Sequence, residues 1–258
     1  MESEITEKIR ENLDRGRRTE MEKGYDFKAA NPEFEAIRNY FIDEEVKVRN
    51  NLLTEREKQL ISLVSLVCQQ SKEMLTTQTE QALAAGVTPV EIKEAVYHCS
   101  PYVGFPRTKD AIILVDQVLL DQGIKLPLKP QTTAAGKDRF EKGLNAQAAI
   151  FGETMRQAAA GGPEHMPVSS YYLVTNCFGD YYTRGGLNLE TREMLTLCVL
   201  VNLGTESQIR SHISGNVNMG RDKEFLTQVL YQCLPYTGYP RLLNAMNCLN
   251  QVLDTAEK

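Results

Sequence analysis

Apolar residues recur along this chain at three- and four-residue steps, the spacing of one helical face. Leu60, Ile61, Leu63, Val64 and Val67 give a wide apolar face to a helix over Arg56–Val67. Thr54, with Glu57 three residues later, is a capping box that predicts where this helix starts. Phe34, Ile37, Tyr40 and Phe41 predict a helical segment over Asn31–Asp43. The run Gly86-Val87-Thr88-Pro89-Val90-Glu91 stops one helix and starts another. Gly ends the first, Thr caps the second, and Pro fits its first turn. That second helix runs to about Cys99. Pro101-Tyr102-Val103-Gly104-Phe105-Pro106-Arg107 breaks it, and a further helix reaches about Leu120. A charged helix is expected near Ile5–Arg17. Leu126–Lys137 has a linker's composition, and Ala158–Pro167 reads as a loop. Strand-like alternation is nearly absent, so the expected fold is all-α with no sheet.

The heptapeptide Pro101–Arg107 recurs, two residues changed, as Pro235-Tyr236-Thr237-Gly238-Tyr239-Pro240-Arg241, an offset of 134. The same offset pairs Gly86 with Gly220, Tyr97 with Tyr231, Cys99 with Cys233, Ala111 with Ala245, and Gln117-Val118-Leu119 with Gln251-Val252-Leu253. Asn39-x-Phe41-x-Asp43 pairs with Asn176-x-Phe178-x-Asp180 at an offset of 137. Chance does not give so many ordered matches, so the chain is two tandem copies of one helical unit. The expected divisions are a charged segment over 1–30, a first repeat over 31–120, a linker over 121–137 and a second repeat over 138–258.

The stretch Arg192–His212 concentrates the candidate chemistry. It opens on Arg192-Glu193, passes through an apolar run and ends on one of three histidines in 258 residues. A carboxylate and an imidazole around a buried helix can serve general acid–base catalysis. An ion pair between Arg192 and Glu193, or a first-turn charge favoured by the helix dipole, would explain the same residues without catalysis. At the offset of 134 His212 matches Gln78. Aligning the helices by their apolar pattern, Leu195 with Leu60, sets Lys58 opposite Glu193. One half then holds an acid and an imidazole, and the other holds neither.

Composition narrows the classes. A net charge of -5 gives no reason to bind nucleic acid or an anionic membrane. The longest apolar run, Met194–Val201, is too short to span a bilayer. The charged N-terminus has no signal-peptide core, and a cytoplasmic location is expected. The six cysteines form no C-x-x-C pair and are expected to be reduced. Three scattered histidines at no metal spacing imply no metal.

Phe178–Leu187 (FGDYYTRGGL), the Arg-Glu before an apolar helix, the H-x-x-G-N segment His212–Asn216 and the P-Y-x-G-Y-P-R turn together resemble the carboxymuconolactone decarboxylase family. That family shares its fold with alkylhydroperoxidase D, and the chain looks like a tandem member. The peroxidase branch places a Glu 12 residues before a C-x-x-C and a His four residues after it. Counted from Glu193, those places here hold Thr205, Gln208 and His212. The acid and the imidazole remain and the redox thiols are gone, which disfavours a peroxide-reducing cycle.

The resemblance implies decarboxylation of a small carboxylated lactone without cofactor or metal. It implies His212 as the acid, with Glu193 orienting it or relaying its proton. Imidazole ordinarily titrates at about 6.5 and can donate a proton near neutrality. Arg184 and Arg192 are the candidates for a substrate carboxylate, as guanidinium forks. Tyr182 is a candidate donor to the lactone, and Asn216, one turn beyond His212, a candidate for the same pocket. Cys198 and His98 are expected in the helix packing and His165 in a loop. The resemblance also implies a homotrimer with pseudo-sixfold symmetry, in which a neighbouring subunit can complete the site. A thiol peroxidase using an isolated cysteine and a non-catalytic binding or assembly protein are the rival readings.

Overall fold

The computed structural model describes residues 26–256, and the helix expected near Ile5–Arg17 lies outside them. The described chain falls into two units, up to Glu45 and from Val46 onward. In the first unit Asp26 caps a short helix, Phe27–Ala30, its side chain accepting from the backbone N–H groups of Lys28 and Ala29. Helix α1 follows, Pro32–Asn39, with Pro32 in its first turn. The chain then widens into a π-helix, Tyr40–Val46.

The regular structure of the second unit is all helical, and no strand occurs among the described residues. The first repeat supplies α2 (Glu55–Gln69), α3 (Lys72–Ala84), α4 (Pro89–His98) and α5 (Phe105–Asp121). After the segment 122–137 comes α6 (Asp138–Phe151). A π-helix, Leu173–Tyr182, precedes α7 (Leu189–Leu203), α8 (Glu206–Asn218), α9 (Lys223–Thr237) and α10 (Tyr239–Ala256). The capping signals are formed. Thr54 and Thr88 each accept from the backbone N–H three residues on, and Glu57 and Glu91 return the bond. Each box satisfies two N–H groups that a helix start otherwise leaves open.

Helices α2 and α7 lie against each other at the centre. Every residue from Gln59 to Cys68 and from Thr191 to Asn202 is buried, so both helices are enclosed on all faces. The two repeats interlock: α9 packs on α2, and α4 packs on α7. Polar bonds fix the seam. Asn202 donates to Ser65 Oγ (3.0 Å) and accepts from Gln69 Nε2 (2.9 Å), and Gln232 Nε2 donates to Ser62 Oγ (3.3 Å). Inside a dry core such bonds specify register, because any slip leaves buried polar atoms unpaired.

The repeated P-Y-x-G-Y-P-R turn behaves differently in its two copies. Pro101 begins a separate turn, Ser100–Val103, whereas Pro235 sits inside α9. What both share is the glycine, Gly104 at φ 81° and Gly238 at φ 77°, a conformation that side chains disfavour. The glycine, rather than the proline, ends the helix in both halves.

Candidate active site

Helix α7 brings Glu193 to the centre of the second unit, and α8 lays His212 beside it. His212 Nδ1 lies 2.7 Å from Glu193 Oε1, with the carboxylate fully buried and the imidazole mostly so. Gly215 makes this approach possible. A Cβ there would stand 2.4 Å from Glu193 Oε1 and 2.8 Å from Ile150 Cγ2, so any side chain would push the carboxylate away. Asn216 donates from Nδ2 to the carbonyl oxygens of Glu193 (3.1 Å) and His212 (2.8 Å), clamping the two helices at this level. Phe151 packs edge-on against the His212 ring at 5.3 Å between centroids.

The other carboxylate oxygen is held as well. Tyr182, at the end of the π-helix, donates to Glu193 Oε2 at 2.9 Å. Its oxygen also meets Thr196 Oγ1 (2.6 Å) and the Tyr102 hydroxyl (3.1 Å). Thr196 continues to His98 Nε2 at 2.9 Å, which also faces the Arg192 carbonyl at 3.0 Å. Burial, followed by the Arg192 charge, pushes His98 well below the ordinary imidazole range, so it is neutral. Burial and then a neighbouring buried thiol (Tyr102) or carboxylate (Tyr182) push both phenols well above the usual range, so both keep their protons.

Arg192 does not pair with Glu193. Its Nη2 reaches Glu94 of α4 (2.9 Å) and the carbonyls of Arg184 (3.0 Å) and Gly185 (2.8 Å). Arg184 places its fork on the same carboxylate, Nε to Oε2 at 2.9 Å and Nη2 to Oε1 at 2.8 Å. Two guanidiniums therefore share one buried carboxylate. Arg184 is raised by that hydrogen bond, and burial lowers Arg192. Nε and Nη1 of Arg192 have no acceptor among the described residues.

Of the residues singled out in the sequence, Glu193, His212, Tyr182 and Asn216 thus converge, while Arg184 and Arg192 gather on Glu94. A groove of about 870 Å³ lies against Arg184 and Tyr181, bordered by Tyr97, Phe105, Lys109 and Ile112, and His212 does not line it. Burial raises the Cys198 thiol well above its usual range and pushes Cys177 up to about 12. No cluster of three or more metal-ligating side chains occurs among the described residues.

The first repeat holds the same geometry in neutral form. Gln78 Nε2 donates to Gln59 Oε1, and these residues are 19 apart, as are His212 and Glu193. The counterpart of Glu193 is therefore Gln59, and Lys58 stands opposite Arg192. Lys58 donates to a backbone carbonyl, that of Lys47, as Arg192 does to two. This corrects the alignment of Lys58 with Glu193 by one residue. The offset of 134 then holds throughout: Gln228 for Glu94, Gln232 for His98 and Ser62 for Thr196. The Gln232–Ser62 bond mirrors the His98–Thr196 bond.

The first repeat reaches into this cluster: its Glu94, His98 and Tyr102 bond to Arg192, Thr196 and Tyr182 of the second. Sequence reasoning missed these three residues, Thr196 and Gly215. One offset applied uniformly would have exposed Glu94 and His98, whose counterparts are Gln228 and Gln232, but not Tyr102 or Thr196, which match Tyr236 and Ser62.

A profile of the carboxymuconolactone decarboxylase family matches residues 32–117 and 169–251. The chain belongs to that family, present here as two tandem helical units. It is similar to a protein of Acinetobacter baylyi named 4-carboxymuconolactone decarboxylase, at 26% identity over 117 residues, 45% of this chain and 87% of that protein.

Proposed function

We propose that the protein is a cofactor-independent carboxy-lyase acting on a small carboxylated lactone of the 4-carboxymuconolactone type, with Glu193 and His212 as its acid–base pair. The observation that carries this reading is the 2.7 Å contact between a fully buried carboxylate and an imidazole, at a position where the other repeat has two amides. The fold does not need the ionisable pair, so its presence calls for a chemical reason.

In the proposed reaction the bond from the ring carbon to the departing carboxylate breaks. Its electron pair moves into the unsaturated lactone as a dienolate, and carbon dioxide leaves. Protonated His212 then delivers its Nε2 proton to carbon, while Nδ1–H stays on Glu193. Solvent restores the proton. A positioned acid of this kind supplies about 10²–10⁴-fold, and fixed charge near the dienolate supplies the rest. Arg192 is the better candidate for the retained carboxylate, because its Nε and Nη1 donors are unclaimed. The fork of Arg184 is spent on Glu94.

The test follows the lactone's ultraviolet absorbance and released carbon dioxide with purified full-length protein. Turnover is expected, and His212→Gln should lower it by about 10²–10⁴-fold with Tm preserved. Undiminished turnover by a folded His212→Gln protein contradicts the assignment.

One observation favours a second reading, binding without turnover: the groove with Arg184 and Lys109 at its wall is not lined by His212. Binding of the lactone without release of carbon dioxide would select it. Assembly as a homotrimer, a cytoplasmic location and a place in aromatic catabolism belong to the first reading. Exposed Phe105 and Ile113 on α5, and Tyr239 and Leu243 on α10, support assembly. Six free, buried cysteines fit a reducing compartment. Light scattering should give three 29.1 kDa chains per particle.

A further inference from the structure

We infer that His98 and Tyr102, both from the first repeat, are positioning residues that fix the direction of a buried hydrogen-bond chain ending on Glu193 and so hold His212 as its Nδ1–H tautomer. The inference rests on the acid–base reading of Glu193 and His212, and it deepens that reading by naming what orients the pair.

The direction follows from which atoms can donate. The Arg192 carbonyl only accepts, so His98 Nε2, 3.0 Å away, carries the proton. Neutral His98 then has a bare Nδ1, and that atom is the buried one with no partner. A buried lone pair left unmatched is the tolerable choice; an unmatched buried N–H is rare. The same Nε2–H also points at Thr196 Oγ1, 2.9 Å away, while Tyr102 donates its proton to the Tyr182 oxygen at 3.1 Å. With its oxygen engaged by His98, Thr196 turns its own proton toward Tyr182, at 2.6 Å, so the Tyr182 oxygen accepts from both Thr196 and Tyr102. Tyr182 is thereby free to donate to Glu193 Oε2. Each link hands its proton toward the carboxylate.

Glu193 then accepts on both oxygens, from Tyr182 at one and His212 at the other. The proton of neutral His212 is thus confined to Nδ1, which leaves Nε2 as the nitrogen that exchanges protons with a substrate. Without the His98 donor the chain can reverse. Tyr182 would donate to Thr196, and the Glu193 carboxylate, no longer held at Oε2, could turn off His212 Nδ1 and so remove the acceptor that selects the tautomer. In the first repeat Asn50 and Ser62 engage Gln232, and Gln59 takes its bond from Gln78.

The experiment uses full-length protein with ¹⁵N-labelled histidine. Three histidines make the imidazole spectrum tractable, and His212→Gln assigns its signals. The wild type should show the Nδ1–H pattern for His212. In His98→Leu, the Nε2–H tautomer should appear, and kcat on the lactone should fall by about tenfold with KM nearly unchanged. His98→Gln, whose amide N–H can reach the same two acceptors, should restore both. Tyr102→Phe removes a single hydroxyl and should shift the tautomer in the same direction, which keeps the test intact if His98→Leu does not fold.

Folded His98→Leu and Tyr102→Phe proteins with the wild-type tautomer overturn the inference. So does a His98→Gln protein that recovers Tm without recovering the tautomer. If the lactone is never turned over but the tautomer shifts as described, the reaction reading fails and the positioning role stands.

Discussion

Two hydrogen-bonded side-chain pairs, each spanning 19 residues, occupy equivalent places in the two repeats. One is Gln59–Gln78 between α2 and α3, and the other is Glu193–His212 between α7 and α8. The amide pair needs little support, since a neutral bond in a core asks only that its donors and acceptors be matched. The ionisable pair sits inside a shell: Tyr182 and Asn216 hold it, Gly215 makes room for it, and the first repeat adds Tyr102, Thr196's partner His98, and Glu94. At the position of Gly215 the first repeat carries Gln81. A buried carboxylate costs several kcal/mol unless its partners are good, of order 3–5 if one is lost. The contrast therefore separates what the fold requires, a matched polar pair joining two helices, from what has been added to one copy.

The comparison can be broken most severely at Arg192. Arg192→Met leaves Glu94, almost fully buried, with Arg184 as its remaining ion-pair partner. A loss of about 3 kcal/mol is expected by urea unfolding. Arg192→Lys, the residue type of the equivalent Lys58, should cost less, since it keeps the charge and loses the fork.

Gly215→Ala comes next. The new Cβ must displace Glu193 Oε1, Ile150 or Phe151, and overpacking of this kind costs about 1–3 kcal/mol. Its effect on turnover should exceed its effect on stability, because the atom it meets first belongs to the carboxylate proposed as half of the acid–base pair. Equal losses in both would place Gly215 in packing alone.

The smallest expected effect is on the pH dependence of Tm. His98 is held neutral, its pKa well below the ordinary value, chiefly by burial. A base depressed in the folded state adds stability above its unfolded value of about 6.5, and loses it progressively as the pH falls below that. His98→Gln removes this titration. Its Tm should fall less than that of the wild type between about pH 7 and about pH 5.

Much of this was legible in the sequence. The apolar period and the Thr54 and Thr88 capping boxes placed the helices, and the repeated heptapeptide revealed the two copies. The spacing of Glu193 and His212 marked the pair. Two things were not legible, for physical reasons. Helix α7 is apolar on every face, so matching apolar residues gives no unique phase; Leu60 fits Leu195 as well as Met194, and Lys58 fell opposite Glu193. Glu94, His98 and Tyr102 lie 80–98 residues before the second-repeat residues they meet here, on α4 and the turn after it, whose own period announces only packing. Arg192 beside Glu193 suggested an ion pair, yet neighbours in a helix point different ways, and the guanidinium found Glu94 instead.

The most direct test of the central claim makes the two sites alike. Glu193→Gln with His212→Gln gives the second repeat the amide pair that the first already folds around. The account predicts a protein with Tm close to the wild type and lactone turnover reduced by about 10²–10⁴-fold. The two single changes should each do nearly as much, because the residues act as a unit. A well-folded double variant that decarboxylates the lactone at the wild-type rate would contradict it.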